Sequence, residues 1–301
     1  MGDFHYLLGK ETLMRILLLL GLLAVLPQGA RADVMLVDLS HGINTHLLSV
    51  EGTSTGSSYE GKGLKLTITN KSGSAIRVRV NQGVIFKPEA DGPQPLVLAG
   101  EEMLRLEPFK EGSVEVQTFC ADSRGFAPSA NLLYSFSHVG SDTLVRLLQY
   151  VKKNAMLDDL GQAAVWVLTN GHTLNNVYDP YRDIASKKLV DYLSALTGLP
   201  IPDYYVMNQL NREAGGPVYT PKTLKIFAQF EHVLTAPEKL TLGVYKEDGS
   251  MLKPVFENRN FGKGAHRHRV EFEASGVVAG NYYIRLMSGQ TILQEKKVLV
   301  Q

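Results

Sequence analysis

Leu64-Lys65-Leu66-Thr67-Ile68-Thr69-Asn70 alternates apolar and polar side chains, pauses at Lys71-Ser72-Gly73-Ser74, and alternates again through Ile76-Arg77-Val78-Arg79-Val80. A period of two puts every second side chain on one face, which suits a strand with one buried side and no helix. Two such segments around a short polar turn predict a hairpin. Asn70-Lys71-Ser72 fits the glycosylation consensus but reads as part of that turn. Gly83–Phe86, Pro95–Leu98, Met103–Leu106 and Ser113–Phe119 are further short apolar segments, separated by Gly, Pro and Asp. Many short strands at regular spacing predict a β-sandwich or barrel from Asp33 to about Ser137.

The rhythm changes at Ser141. Leu144, Leu147, Leu148 and Val151 recur at helical spacing, with Ser141 placed as an N-cap. A second helix is expected to start at Asp158 or Asp159 and to end at Asn170-Gly171. A third is expected over Ile184–Leu196, with Gly198 just beyond its end and Pro200 and Pro202 following. Together they make a helical insert at about 138–200 in a β domain covering 33–210. Residues 211–221 (NREAGGPVYTP) read as a linker. From 222 to 301 strands return. His268, Val270 and Phe272 share one strand face, and Arg267, Arg269 and Glu271 share the other. This second domain is expected to be an immunoglobulin-like β-sandwich. The fold class is therefore mainly β, with two domains.

Ile16–Leu26 is an apolar run preceded by Arg15 and followed by small residues at Ala30 and Ala32. The run is too short to span a bilayer, which takes about 20 residues. A positive flank, a short apolar core and an A-x-A-like end predict a signal peptide over 1–32, cleaved after Ala32. The expected location is secreted or cell-surface, by way of the periplasm. With 31 basic and 30 acidic residues and no basic run, nucleic acid is not an expected partner. The single cysteine excludes an internal disulfide framework and a cysteine-based zinc site. His266 and His268 share a strand face, but no third ligand stands near them in the sequence, so no metal and no cofactor are expected. No acid–base pair or triad spacing appears, so no enzymatic activity is expected. A Cys–His protease pairing Cys120 with His138 or His172 lacks a local signature.

Two strings remain. Phe119-Cys120-Ala121-Asp122 closes a strand, and Gln162-Ala163-Ala164-Val165-Trp166 lies in the helical insert; they hold the only cysteine and the only tryptophan. Together they resemble the paired motifs of bacterial surface thioester domains: an aromatic-Cys-x-Asp/Asn string and a later Gln-x-Ala-Ile/Val-Trp string with helices between. The resemblance covers roughly Leu64 to Asn170. It implies a Cys120–Gln162 thioester, with Asp122 and Trp166 as supporting residues. In that chemistry a thiolate attacks the glutamine carboxamide, ammonia leaves, and the acyl group waits for an amine such as a lysine on a partner.

The C-terminal segment is similar to the sorting domain of type IX secretion cargo. The similarity rests on Gly280-Asn281-Tyr282-Tyr283, the Gly289 turn and Lys296-Lys297-Val298-Leu299-Val300. It implies the secretion machinery as a partner. The function expected from the whole is an exported adhesin-like protein that binds a protein or glycan on another surface, through the thioester or without covalent chemistry.

Overall fold

The computed structural model describes residues 34–56, 61–211 and 216–301. The expected signal peptide lies outside the described residues. In chain order the chain forms β1 (Met35–Asp38), α1 (Leu39–Asn44), β2 (Leu48–Ser54), β3 (Leu64–Asn70), β4 (Ile76–Val80), β5 (Val84–Pro88) and β6 (Leu96–Leu98). It continues with β7 (Glu102–Leu106), β8 (Glu111–Val116), β9 (Thr118–Cys120) and β10 (Leu133–Val139). Three helices follow, α2 (Asp142–Lys153), α3 (Asp159–Asn170) and α4 (Asp183–Thr197), with short 3-10 turns at Leu174–Asn176 and Pro180–Arg182. The last strands are β11 (Tyr204–Leu210), β12 (Tyr219–Leu234), β13 (Glu238–Lys246), β14 (Met251–Phe261), β15 (Gly264–Glu273), β16 (Gly280–Ser288) and β17 (Thr291–Val300).

The N-terminal strands make two sheets, one in the order β1-β4-β7 and one in the order β8-β3-β2-β10-β5-β6-β9. Their facing sides bury Leu64, Leu66 and Ile68 of β3 and Ile76, Val78 and Val80 of β4 in one core. This corrects the expected hairpin. β3 pairs with β2 and β8, and β4 pairs with β7 in the other sheet. Both segments point their apolar faces at the same core, and the alternation is the same whether the second strand pairs beside the first or stacks across from it. The turn between them is built by Asn70. Its Nδ2 donates to the Ser74 and Glu107 carbonyls, and its Oδ1 accepts from the Ser72 amide and hydroxyl. A fully buried, fully bonded Asn70 leaves no room for a glycan.

The long sheet is covered on its second face at one end. Val84, Phe86, Leu96, Leu98 and Cys120 face the sandwich core, while Ile85, Val97 and Phe119 face a second core made with α2, α3 and α4. Strands buried on both sides read as continuous apolar runs, which is why Val84-Ile85-Phe86 and Leu96-Val97-Leu98 lack alternation. The helices begin and end as their sequences require. Ser141 Oγ accepts from the Leu144 amide, the Asp158 carboxylate accepts from the Leu160 amide, and Gly171 and Gly198 close α3 and α4 in the left-handed conformation.

The C-terminal strands form a second sandwich. Sheet β11-β12-β15 and sheet β14-β13-β16-β17 enclose Ile226, Phe230, Leu240, Leu242, Phe272, Ile284 and Leu286. Seven strands in sheets of three and four is an immunoglobulin-like arrangement. β11 comes from before the expected 211–221 linker and pairs with β12, which begins inside it. Leu36–Gln301 thus form one compact unit.

Candidate functional site

β9 is the outer strand of the seven-stranded sheet. Its register sets Cys120 opposite Leu96. The flanking bonds run from the Ala121 amide to the Pro95 carbonyl and from the Ala99 amide to the Gln117 carbonyl. Peptide groups along an antiparallel strand point alternately toward and away from the partner, so the N–H and C=O of Cys120 face away from β6. They would be buried and unpaired, since Cys120 is fully buried. Gln162, in the first turns of α3, supplies both partners. Its Oε1 accepts from the Cys120 amide at 2.8 Å, and its Nε2 donates to the Cys120 carbonyl at 2.9 Å. The carboxamide does what a peptide group of a neighbouring strand would do.

Gly161 lets the helix come this close. A Cβ there would lie 2.1 Å from the Met156 carbonyl oxygen and 2.8 Å from Phe119 Cζ and Val151 Cγ1. No side chain fits.

Two residues 42 positions apart in the chain are therefore in direct contact, through the main chain of Cys120 and the side chain of Gln162. The thiol has other neighbours as well. Burial pushes the Cys120 thiol well above its ordinary range, and the Gln94 carboxamide offsets part of that. Gln94 is itself buried, and among the described residues neither of its amide atoms is in a well-formed hydrogen bond. Tyr134 lies on the same side. Its hydroxyl donates to the Gln94 carbonyl, and burial raises its pKa, with a smaller push from Cys120.

The two supporting residues part company. Trp166 is 2% exposed and belongs to the same buried cluster as Cys120. Its ring meets Tyr219 edge-on at 5.8 Å and lies 5.6 Å from His172. Asp122 is turned elsewhere, accepting from Asn170 Nδ2 and from Arg124. Asn170 Oδ1 in turn accepts from the Ser123 amide. Asp122 thus braces the loop after β9 against the end of α3.

Sequence reasoning missed Ser123. Its hydroxyl lies 3.0 Å from His172 Nε2, and burial lowers the His172 pKa, so the ring is neutral at pH 7. Ser123 is almost wholly buried, and the neighbouring carboxylate, Asp122, is engaged by Asn170 and Arg124. The pair is no triad. No spacing signal announces it, because Ser123 and His172 are joined only by the packing of α3 on β9. His138, the other histidine weighed with Cys120, lies in β10 with its Nδ1 2.9 Å from the Ser137 hydroxyl.

His266 and His268 share a face of β15, as the alternation predicts, and His232 of β12 joins them, its ring 5.3 Å and 5.1 Å from theirs. The three rings stack within 27° of parallel. Among the described residues no group of three His, Cys, Asp or Glu is arranged to hold a metal ion.

A cleft of about 390 Å³ opens between α3, the two 3-10 turns and β11. Trp166 is in its wall, which joins the cleft to the buried cluster around Cys120.

No protein-family model matches the chain, and no curated protein does. Among solved structures, a β-glucosidase from Kluyveromyces marxianus in complex with glucose aligns at 12% identity and a TM-score of 0.20 over 79% of this chain and 44% of that one. DesR, a β-glucosidase from Streptomyces venezuelae, aligns at 10% identity and a TM-score of 0.17 over 83% and 47%. The chain spans less than half the length of either, and likenesses this low carry no argument about fold or function.

Proposed function

We propose that the protein is an exported, adhesin-like surface protein in which Cys120 and Gln162 form an internal thioester that captures an amine on a partner. The observation that carries this reading is the doubly bonded, fully buried contact between the Gln162 carboxamide and Cys120. An N–H held 2.8 Å from Oε1 polarises the carbonyl and stabilises the negative charge that develops there under attack, as an oxyanion donor does. In the reaction the Cys120 sulfur turns from Gln94 and bonds to Gln162 Cδ. The C–N bond breaks, and the thiol proton leaves with the amine as ammonia. A raised thiol pKa means little thiolate stands ready, so the proton passes to the leaving nitrogen and not to solvent. Burial then keeps water from the acyl group. Capture reverses the bonding: an amine nitrogen bonds to Cδ, the C–S bond breaks, and the sulfur takes the proton the amine loses.

The test is treatment of the purified mature protein with methylamine. One methylamine is expected to add at Gln162 while one thiol becomes titratable, and Cys120→Ala is expected to abolish both. A thiol titratable on unfolding before any treatment overturns the covalent reading.

A second reading has its own observation. Gln162 satisfies the N–H and C=O of Cys120 that the edge of the sheet leaves unpaired, and the thiol lies by Gln94. On this reading the contact is a clamp, and the protein is a non-covalent binding module with the same architecture.

A further inference from the structure

The cleft beside α3 has a lining that suits a particular class of ligand. Five aromatic rings meet there: Trp166, His172, Tyr178, Tyr181 and Tyr219. Tyr178 is held by stacking on Tyr205 at 4.4 Å and by its hydroxyl on Asp183, whereas Tyr181 stands at the rim 94% exposed. The polar wall combines the amides of Asn176 and Asn208 with the carboxylates of Asp159 and Asp179. Asn208 Nδ2 donates to Asn176 Oδ1 at 3.2 Å and to the Tyr219 hydroxyl at 2.9 Å. Asn208 Oδ1 is buried and has no hydrogen-bond partner among the described residues. A buried acceptor left unpaired costs about 1–3 kcal/mol, a cost relieved when the side chain of this cleft-lining residue turns its Oδ1 to an entering hydroxyl or water. The nearby charge on Asp179 is already matched, with one carboxylate oxygen 2.7 Å from Arg182 Nε and the other accepting from the Tyr181 amide. The volume lies at the low end of the range for small-molecule sites, which runs from about 300 to 1,000 Å³.

From this lining we infer that the cleft is a binding site for a neutral saccharide of one or two rings. A sugar ring presents C–H faces that pack on aromatic rings and a girdle of hydroxyls that donate to and accept from amides, the two kinds of surface found here. An anionic ligand meets no Lys or Arg in the lining among the described residues, only the carboxylates of Asp159 and Asp179. An aliphatic one leaves the Asn176–Asn208–Tyr219 network unanswered. The inference deepens the binding-protein reading by giving it a site and a ligand class, and it stands apart from the Cys120–Gln162 chemistry.

Trp166 is the only tryptophan, so its fluorescence reports on the cleft wall. The experiment titrates the full mature protein with N,N′-diacetylchitobiose, cellobiose and maltose, following tryptophan emission and repeating any positive titration by calorimetry. A saturable change with at least one disaccharide is expected. Tyr181→Ala, an exposed position, is expected to weaken binding about two- to tenfold, the range a single aromatic contact supplies, with an unchanged melting curve. Asn208→Ala is expected to remove binding. Failure of all three sugars to saturate, or wild-type affinity in both variants, overturns the inference. A protein that binds none of them yet adds methylamine at Gln162 loses this inference and keeps the covalent reading; one that binds a sugar but has a free thiol does the reverse.

Discussion

Gln162 sits where a strand would otherwise be needed, and that fixes what its replacement does. In a Cys120→Ala background, where no thioester forms and the carboxamide stays intact, Gln162→Ala leaves the N–H and C=O of residue 120 buried and unpaired, each at a cost of about 1–3 kcal/mol. Unfolding in urea is expected to shift to lower midpoint by a corresponding amount; a midpoint within error of the Cys120→Ala parent contradicts the clamp geometry. Gly161→Ala is expected to destabilise as well, by about 1–3 kcal/mol, because its methyl group meets a main-chain carbonyl that has no rotamer to yield. Cys120 and Gln162 were each legible in the sequence as residues of interest through the motifs around them. The manner of the contact was not. Which peptide groups of β9 point outward depends on its register with β6, and no residue pattern encodes that.

Among the elements, those buried on one face and capped by recognisable residues were the easiest to read. α3 runs from Asp159 to Asn170 because Asp158 starts it and Gly171 ends it, and both signals are in the sequence. β4 was legible as a strand and not as a partner, since its alternation is the same in either sheet. The histidine-bearing strands gave up less. Alternation joined His266 to His268, but His232 reaches them only through the pairing of β12 with β15. This cluster has a consequence for stability. Burial lowers the pKa of His232, aided by His266, while Glu238 works against it; burial lowers that of His268, aided by His232, His266 and Arg259. His172 is lowered by burial as well. The unfolded chain, with histidines near pH 6.5, takes up protons first as the solution is acidified. The stability these neutral rings contribute is therefore complete above about pH 6.5 and is lost as the pH falls through their folded values. The melting temperature is expected to fall on acidification from neutral pH, and to fall less in His268→Gln. An identical pH dependence in that variant rules the cluster out as its source.

For the whole molecule, the mainly β architecture with a helical insert and a closing sandwich follows from patterning alone. The boundary between the parts does not, because β11 leaves the first part to pair in the second. A deletion beginning at residue 222 would cut β12 and strip β11 of its partner. If the closing sandwich is the export and attachment module that its last strands resemble, a chain lacking 204–301 is expected to accumulate in the periplasm, as fractionation and surface labelling would reveal. Unchanged surface delivery contradicts that role. Whatever its route, the protein's proposed activity depends on one covalent bond between β9 and α3. The intact mass of the freshly purified mature chain, measured under denaturing conditions without added nucleophile, decides whether that bond exists. The account predicts a mass lower by one ammonia than the sequence requires, restored in Cys120→Ala to the full mass of that variant; a wild-type chain at its full sequence mass contradicts it.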